Sequence, residues 1–269
     1  MPRTLFAAAA LALTTALPVQ ATDLSDLSDA ERQAFRDEVR AYLLENPEVL
    51  MEAIAVLEDR QAEQQVANDA SLVRVNAQDI FSDPHSWVGG NPEGDVTLVE
   101  FMDYRCSYCR RAFDDVEALI NGDQNIRLVI KEFPILGEQS ELASRFAISV
   151  KAHHGDEAYK SVHDTLIKFR GNITMTSLEN VAARLDLDMD AITPLMTSDT
   201  TSDIIRQNRQ LAQRLGISGT PTFVLDEQML RGYVPLDGMQ QIVADVGAPH
   251  ARAPPKKKKP TTTRGGFQY

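Results

Sequence analysis

The chain has 269 residues, 43% of them apolar, and only 2 cysteines, so it is too large and too cysteine-poor to be a small disulfide-stapled domain. With 25% charged residues, 14 Gly and 13 Pro, the composition also excludes collagenous, low-complexity and wholly disordered chains. The net charge of −12 is uneven: the last 22 residues carry 6 basic and no acidic groups, leaving 21 basic against 39 acidic groups, or −18, on the rest, which argues against nucleic-acid binding by the body.

In chain order, residues 1–21 read as a targeting segment, a signal peptide. Arg3 supplies a minimal positive start, Leu5 to Leu17 an apolar stretch, and Val19-Gln20-Ala21 small residues at the cleavage positions. The run falls short of the roughly 20 apolar residues a spanning helix needs, so export is expected rather than anchoring. A bacterial periplasm, where disulfides form, is the simplest destination.

Residues 22–75 are expected to form an N-terminal helical arm. Ser28-Asp29-Ala30-Glu31 has the form of a capping box, and Phe35, Val39, Tyr42 and Leu43 share one face of the helix it starts. Asn46-Pro47 ends that helix and begins another, Asn as N-cap and Pro in the first helical position. Leu50, Ile54 and Leu57 continue the stripe; the polar stretch 61–65 follows, then a sparser apolar spacing at Val66, Ala70 and Val73. So thin an arm has little core of its own, and its stripe needs a partner surface, either the body of the same chain or another copy in a homo-oligomer.

Residues 80–247 read as an α/β domain. Val96 to Met102 (VTLVEFM) is a short apolar run, as a buried strand would be; Ala112, Val116, Leu119 and Ile120 give a helix over 107–120, closed by Asn121-Gly122. Ile126 to Phe133 is the next strand. About 140–216 the apolar residues recur at helical spacing without a convincing strand, which makes this stretch a helical insertion. Thr222 to Leu225 and Met229 to Gly232 read as a closing strand pair, and Leu236 to Val246 as a last helix. Residues 248–269, with Ala253-Pro254-Pro255 and four lysines, read as a basic tail that cannot bury a core.

The chemistry lies in Phe101-Met102-Asp103-Tyr104-Arg105-Cys106-Ser107-Tyr108-Cys109. A CxxC pair where a buried strand meets a helix puts the first thiol at the helix N-terminus, where unpaired N–H groups and the helix dipole favour a thiolate. Cys106 is thus the nucleophile, and Cys109, one turn inside the helix, is suited to resolve a mixed disulfide. Half of a zinc site is a poorer reading: no second Cys or His pair stands at ligand spacing, His153-His154 are adjacent and His163 is alone. A structural disulfide is also weak, because so short a loop constrains the unfolded chain little.

The strand ending VEFMDYRCSYC, the helical insertion, and Gly219-Thr220-Pro221-Thr222-Phe223 before a closing strand together resemble the DsbA-like branch of the thioredoxin superfamily. The resemblance covers about 170 residues, 80 to 247, and implies a thioredoxin fold with a helical insertion, preceded by the arm. It implies a cis Pro221 beside the cysteine pair, Thr220 across from Cys106 offering backbone groups to an extended substrate, and Ser107 and Tyr108 at the substrate-facing rim. It places Glu100, six residues before Cys106, as a buried carboxylate whose raised pKa suits it to take the Cys109 proton. Arg105, Arg110 and Arg111 either add to the thiolate's stabilisation, with Asp103 opposing them, or are solvated surface charges with no role.

Strongly oxidising DsbA proteins carry Pro-His between the cysteines where this chain has Ser107-Tyr108, so Cys106 is expected to be less acidic than theirs. Tyr before the second cysteine and Thr before the proline look more like the isomerases DsbC and DsbG. The arm with Asn46-Pro47-Glu48-Val49-Leu50 resembles that of the suppressor-of-copper-sensitivity protein ScsC, some of whose members oligomerise through it.

These features lead to a periplasmic thiol-disulfide oxidoreductase acting on exported proteins, closer to an isomerase or reductase than to a DsbA-type oxidase, and kept in its working state by a membrane redox partner. No cofactor is called for. Copper binding by the two soft thiolates is a lesser alternative, and no Met-rich cluster accompanies the pair, since the 8 Met are scattered.

Overall fold

A computed structural model describes residues 28–251; the signal peptide expected over 1–21 and the tail expected from 248, apart from its first four residues, lie outside them. The chain divides into two units, residues 1–60 and 61–269.

In the first unit, α1 (Asp29–Glu45) opens on a capping box: the Glu31 N–H donates to Ser28 Oγ and the Ser28 N–H donates to Glu31 Oε2 at 2.9 Å. Two of the helix's orphan donors are thereby satisfied. Asn46 does not N-cap the next helix. Its own N–H and its side-chain amide both donate to the Tyr42 carbonyl, at 2.8 and 2.9 Å, so it closes α1 instead. The physical reason is that an amide NH2 is drawn to the unpaired carbonyls of a helix C-terminus. Helix α2 (Glu48–Val75) runs unbroken through the polar stretch 61–65, whose Gln, Ala and Glu are good helix formers. Phe35, Tyr42, Leu50, Ile54 and Leu57 are exposed, and α1 has no buried residue, so the stripe has no cover within its own unit.

The second unit is built on a five-stranded sheet. Its strands are β1 (Trp87–Gly90), β2 (Val96–Met102), β3 (Ile126–Glu132), β4 (Thr222–Leu225) and β5 (Gln228–Arg231), in the order β1-β3-β2-β4-β5. Strands β2 and β3 are parallel and every other pairing is antiparallel. The parallel pair requires a crossover, which α4 (Ser107–Gly122) supplies. Short α3 (Ala77–Phe81) precedes the sheet. Five helices are inserted between β3 and β4: α5 (Glu138–His154), α6 (Asp156–Lys168), α7 (Met175–Arg184), α8 (Met189–Met196) and α9 (Asp199–Arg214). The closing helix α10 (Leu236–Ala251) extends into the stretch expected to be tail.

Alternation along the strands divides the core. Leu98, Met102, Leu128 and Ile130 face α4, α5 and α6, while Val99, Phe101, Val129 and Val224 face Val73 of α2, Ile80 of α3 and Leu211 of α9. Each strand of the parallel pair also carries charge inward. Lys131, fully buried on the second face, donates to the Asp79 carbonyl at 2.7 Å and to the Asp83 carboxylate. Asp83 in turn accepts the His85 and Ser86 N–H groups at 3.0 and 2.7 Å. Glu100 and Glu132 lie buried on the other face, the one that carries the cysteines.

Candidate functional site

The cysteines sit beyond the carboxyl end of β2. Asp103, Tyr104 and Arg105 turn the chain, and Cys106 becomes the N-cap of α4 with extended backbone angles (φ −72°, ψ 120°). An N-cap position points its side chain at the helix's first free amides, and the Cys109 N–H donates to Cys106 Sγ at 3.5 Å. The Cys106 thiol donates to the Thr220 carbonyl at 3.1 Å, across the loop that enters β4. The Thr220–Pro221 peptide bond is cis. Both cysteines are free thiols.

Their acidities diverge. The Cys109 thiol, the Thr220 side chain and the Cys109 and Tyr108 amides together lower Cys106 to about 5, against the opposing effect of burial. This depression arises with no histidine between the cysteines. Cys109 is pushed upward by burial, by its hydrogen bond to Cys106 and by the charge of Glu100. Glu100 itself is pushed up to about 8, chiefly by burial and then by the charges of Cys106 and Glu117. It lies on β2 in register with Ile130 of β3 and Phe223 of β4, in the centre of the sheet. Tyr108 is exposed, and Ser107, the first residue of α4, is exposed beside it.

The neighbouring charges act differently from the sequence expectation. Asp103 does not face the arginines as an opposing surface charge. It is fully buried, and its carboxylate accepts the N–H groups of Arg105 (2.7 Å), Ile135 (2.8 Å) and Leu136 (3.0 Å). The cysteine turn is thereby fastened to the loop after β3, whose Leu136 is 52% exposed. Arg105 donates to the Gly171 carbonyl, Arg110 Nε to the Tyr104 carbonyl, and Arg111 lies over the Tyr233 ring, so each has a partner other than the thiolate. His163, alone in the sequence, is buried between Tyr104, Tyr159 and Phe113, and burial pushes it down to about 3. Among the described residues no three His, Cys, Asp or Glu side chains converge as metal ligands would.

Residues 97–244 match the DSBA-like thioredoxin domain, and residues 31–64 match the N-terminal domain of copper resistance protein ScsC. A thioredoxin-like oxidoreductase from Silicibacter pomeroyi DSS-3 is 37% identical, with a TM-score of 0.59 over 66% of this chain and 98% of that one. Proteus mirabilis ScsC in a transitional conformation is 27% identical, with a TM-score of 0.61 over 84% of this chain and 100% of that one. Among curated proteins the chain is similar to Na(+)/H(+) antiporter NhaA 1 of Salinispora arenicola (strain CNS-205), 28% identical over 177 residues. That match takes in 66% of this chain and 27% of the antiporter, so the chain spans about a quarter of that relative's length. Among the described residues no helix is long and apolar enough to cross a membrane. The matched residues hold the strand, the CxxC helix and the cis-proline loop in one site, and by that match the chain belongs to the DsbA-like thioredoxin-domain family, with an ScsC-type N-terminal segment ahead of it.

Proposed function

We infer that the chain is a periplasmic thiol-disulfide oxidoreductase acting on exported proteins, in the isomerase or reductase direction. One observation carries this reading: Cys106 Sγ, at the N-cap of α4, receives the Cys109 N–H and lies 3.1 Å from the Thr220 carbonyl of the cis-proline loop, a setting that lowers its pKa to about 5. The thiolate attacks one sulfur of a substrate disulfide, forming a mixed disulfide on Cys106 and releasing the other substrate sulfur as a thiolate. Reshuffling follows when that substrate, or a third substrate thiolate, attacks the mixed disulfide and returns Cys106. Reduction follows when Cys109 attacks instead, Glu100 taking its proton; the substrate leaves as a dithiol and the protein as the Cys106–Cys109 disulfide.

Thr220, Pro221, Ser107 and Tyr108 form the surface that holds the substrate chain. The exposed Tyr108, Ile135 and Leu136 suit apolar segments of an unfolded polypeptide. The helical arm joins copies of the chain through its uncovered stripe, bringing several thiols to one substrate. A membrane redox partner returns the pair to the dithiol.

A second reading, a thiol oxidase, is favoured by the same low pKa, because a stabilised thiolate makes the disulfide more oxidising. Recovery of ribonuclease activity from scrambled disulfides in a glutathione buffer separates them, with Cys106→Ser as control. Recovery that is lost in the control supports the isomerase. No recovery, with fast oxidation of reduced ribonuclease, overturns it in favour of the oxidase. Deleting residues 22–75 tests the arm, which the isomerase requires.

A further inference from the structure

Beneath the cysteine turn lies a buried polar cluster that the thiol chemistry does not use. Glu132, the last residue of β3, is 3% exposed and receives three hydroxyl groups. Tyr104 and Tyr159 both donate to Oε1, at 2.8 and 2.6 Å, and Ser144 donates to Oε2 at 2.7 Å. His163 Nδ1 lies 3.2 Å from the Tyr104 hydroxyl, and Asn208 donates to the Glu132 carbonyl at 3.0 Å. Tyr159 and His163 come from α6, Ser144 from α5 and Asn208 from α9, so three inserted helices meet on one residue, α5 and α6 at its carboxylate and α9 at its main-chain carbonyl.

Only Tyr104 reaches this cluster from the active-site turn. Its ring is fully buried, and its main chain is bound into the start of α4. The Tyr104 carbonyl accepts Arg110 Nε at 3.0 Å, and on either side of it the Asp103 carbonyl accepts the Cys106 N–H at 3.0 Å and the Asp103 carboxylate accepts the Arg105 N–H. The Tyr104 hydroxyl is therefore one of the ties, beside the Asp103 carboxylate, through which the rest of the domain reaches the N-cap. A carboxylate that accepts three hydroxyls and has no cation among those partners is costly to bury, which argues for a role beyond filling space. Burial raises Glu132 to about 7, while its three hydroxyl donors oppose that rise.

We propose that Glu132 is a positioning residue for the Cys106 thiolate, acting through the Tyr104 hydroxyl. This rests on the thiol-exchange reading of the site, yet its test reads the sulfur itself. The thiolate absorbance of the reduced full-length protein is titrated in wild type, Tyr104→Phe, Glu132→Gln and Glu132→Ala, and each reduction potential is measured against glutathione. Tyr104→Phe keeps the ring and removes only the tie. It should raise the Cys106 pKa by about half to one unit, the roughly three- to tenfold change that one hydrogen bond can make, and make the disulfide less oxidising.

Glu132→Ala should do the same, and Glu132→Gln, which retains an oxygen facing Tyr104, should recover most of the wild-type value. The double variant Tyr104→Phe/Glu132→Ala should shift no further than either single change, because both act along one path. A folded Tyr104→Phe protein with an unchanged Cys106 pKa and potential overturns the proposal, whatever its melting temperature. If Glu132→Ala fails to fold, Tyr104→Phe and Glu132→Gln decide the matter. A protein that shows the shifts but exchanges no disulfides would leave the positioning role standing and sink the functional reading alone.

Discussion

Cys106 and Cys109, one helical turn apart, are driven in opposite directions: the first is lowered to about 5 by the Cys109 thiol and the first amides of α4, and the second is raised by burial beneath it. At neutral pH one sulfur is a thiolate and the other a thiol. A substrate disulfide therefore meets one nucleophile, and the second sulfur acts only after its proton is removed.

Iodoacetamide should alkylate Cys106 and spare Cys109 in the reduced protein at pH 7, as peptide mapping would show. The rate should be level above about pH 6 and fall roughly tenfold per pH unit below the pKa of about 5, because only the thiolate reacts. A midpoint near that of an ordinary thiol would contradict the N-cap stabilisation. The shift also has a sign for stability: the folded value lies below the unfolded one, so the reduced protein gains stability above the unfolded thiol's range and loses that gain as pH falls through about 5.

Glu100→Gln should leave attack by Cys106 intact and slow release of the mixed disulfide, by about 100-fold or more if Glu100 is the base for Cys109. In wild type the release step should accelerate as pH rises through about 8, where Glu100 ionises, and that acceleration should vanish in the variant. Quenched-flow separation of the mixed disulfide would show it. Because the folded pKa of Glu100 is raised, its contribution to stability is present below the usual carboxylate range and is lost as pH rises through about 8. Glu100→Gln should therefore be more stable than wild type at pH 9, by about 2 kcal/mol or more in urea unfolding.

Asp103→Ala leaves three part-buried N–H groups, those of Arg105, Ile135 and Leu136, without their acceptor. The expected loss is about 2–4 kcal/mol of stability, together with faster hydrogen exchange at Ile135 and Leu136. Unchanged exchange at those two amides would show that the carboxylate does not fasten the loop.

Lys131→Met should be among the most destabilising single changes in the sheet, at about 3–5 kcal/mol, because it leaves the part-buried Asp83 carboxylate without its cation. Adding Asp83→Asn should restore much of the loss. If the double variant is no more stable than the single one, the ion pair is not what holds the segment before β1.

Much of this was readable from the residues. The apolar run 96–102, the helix from 107 and the run from 126 have periods that local sequence fixes, and CxxC marks their junction. Strand β1 (Trp87–Gly90) was not readable: WVGG ends in two glycines and has no alternation, and its strand form comes from antiparallel pairing to β3. Asn46 reads from sequence as the start of α2, yet it caps the end of α1, because both neighbouring helix ends suit an amide and only the backbone geometry chooses between them. The Tyr104–Glu132–His163 cluster joins positions 28 and 59 residues apart, and nothing local to any of them signals it. The burial of Asp103 is hidden for a related reason, since a charge beside arginines looks solvated until the loop after β3 closes over it.

The insertion α5–α9 leaves the sheet just after Glu132 and returns just before Thr220, and the inner faces of α5 and α6 pack into the same core as the two cysteines. Redox chemistry and surface shape thus share the insertion, its inner face serving the one and its outer face the other. The outer face can be re-sculpted to suit another clientele, provided that Ser144, Tyr159, His163 and Asn208 keep their place around Glu132.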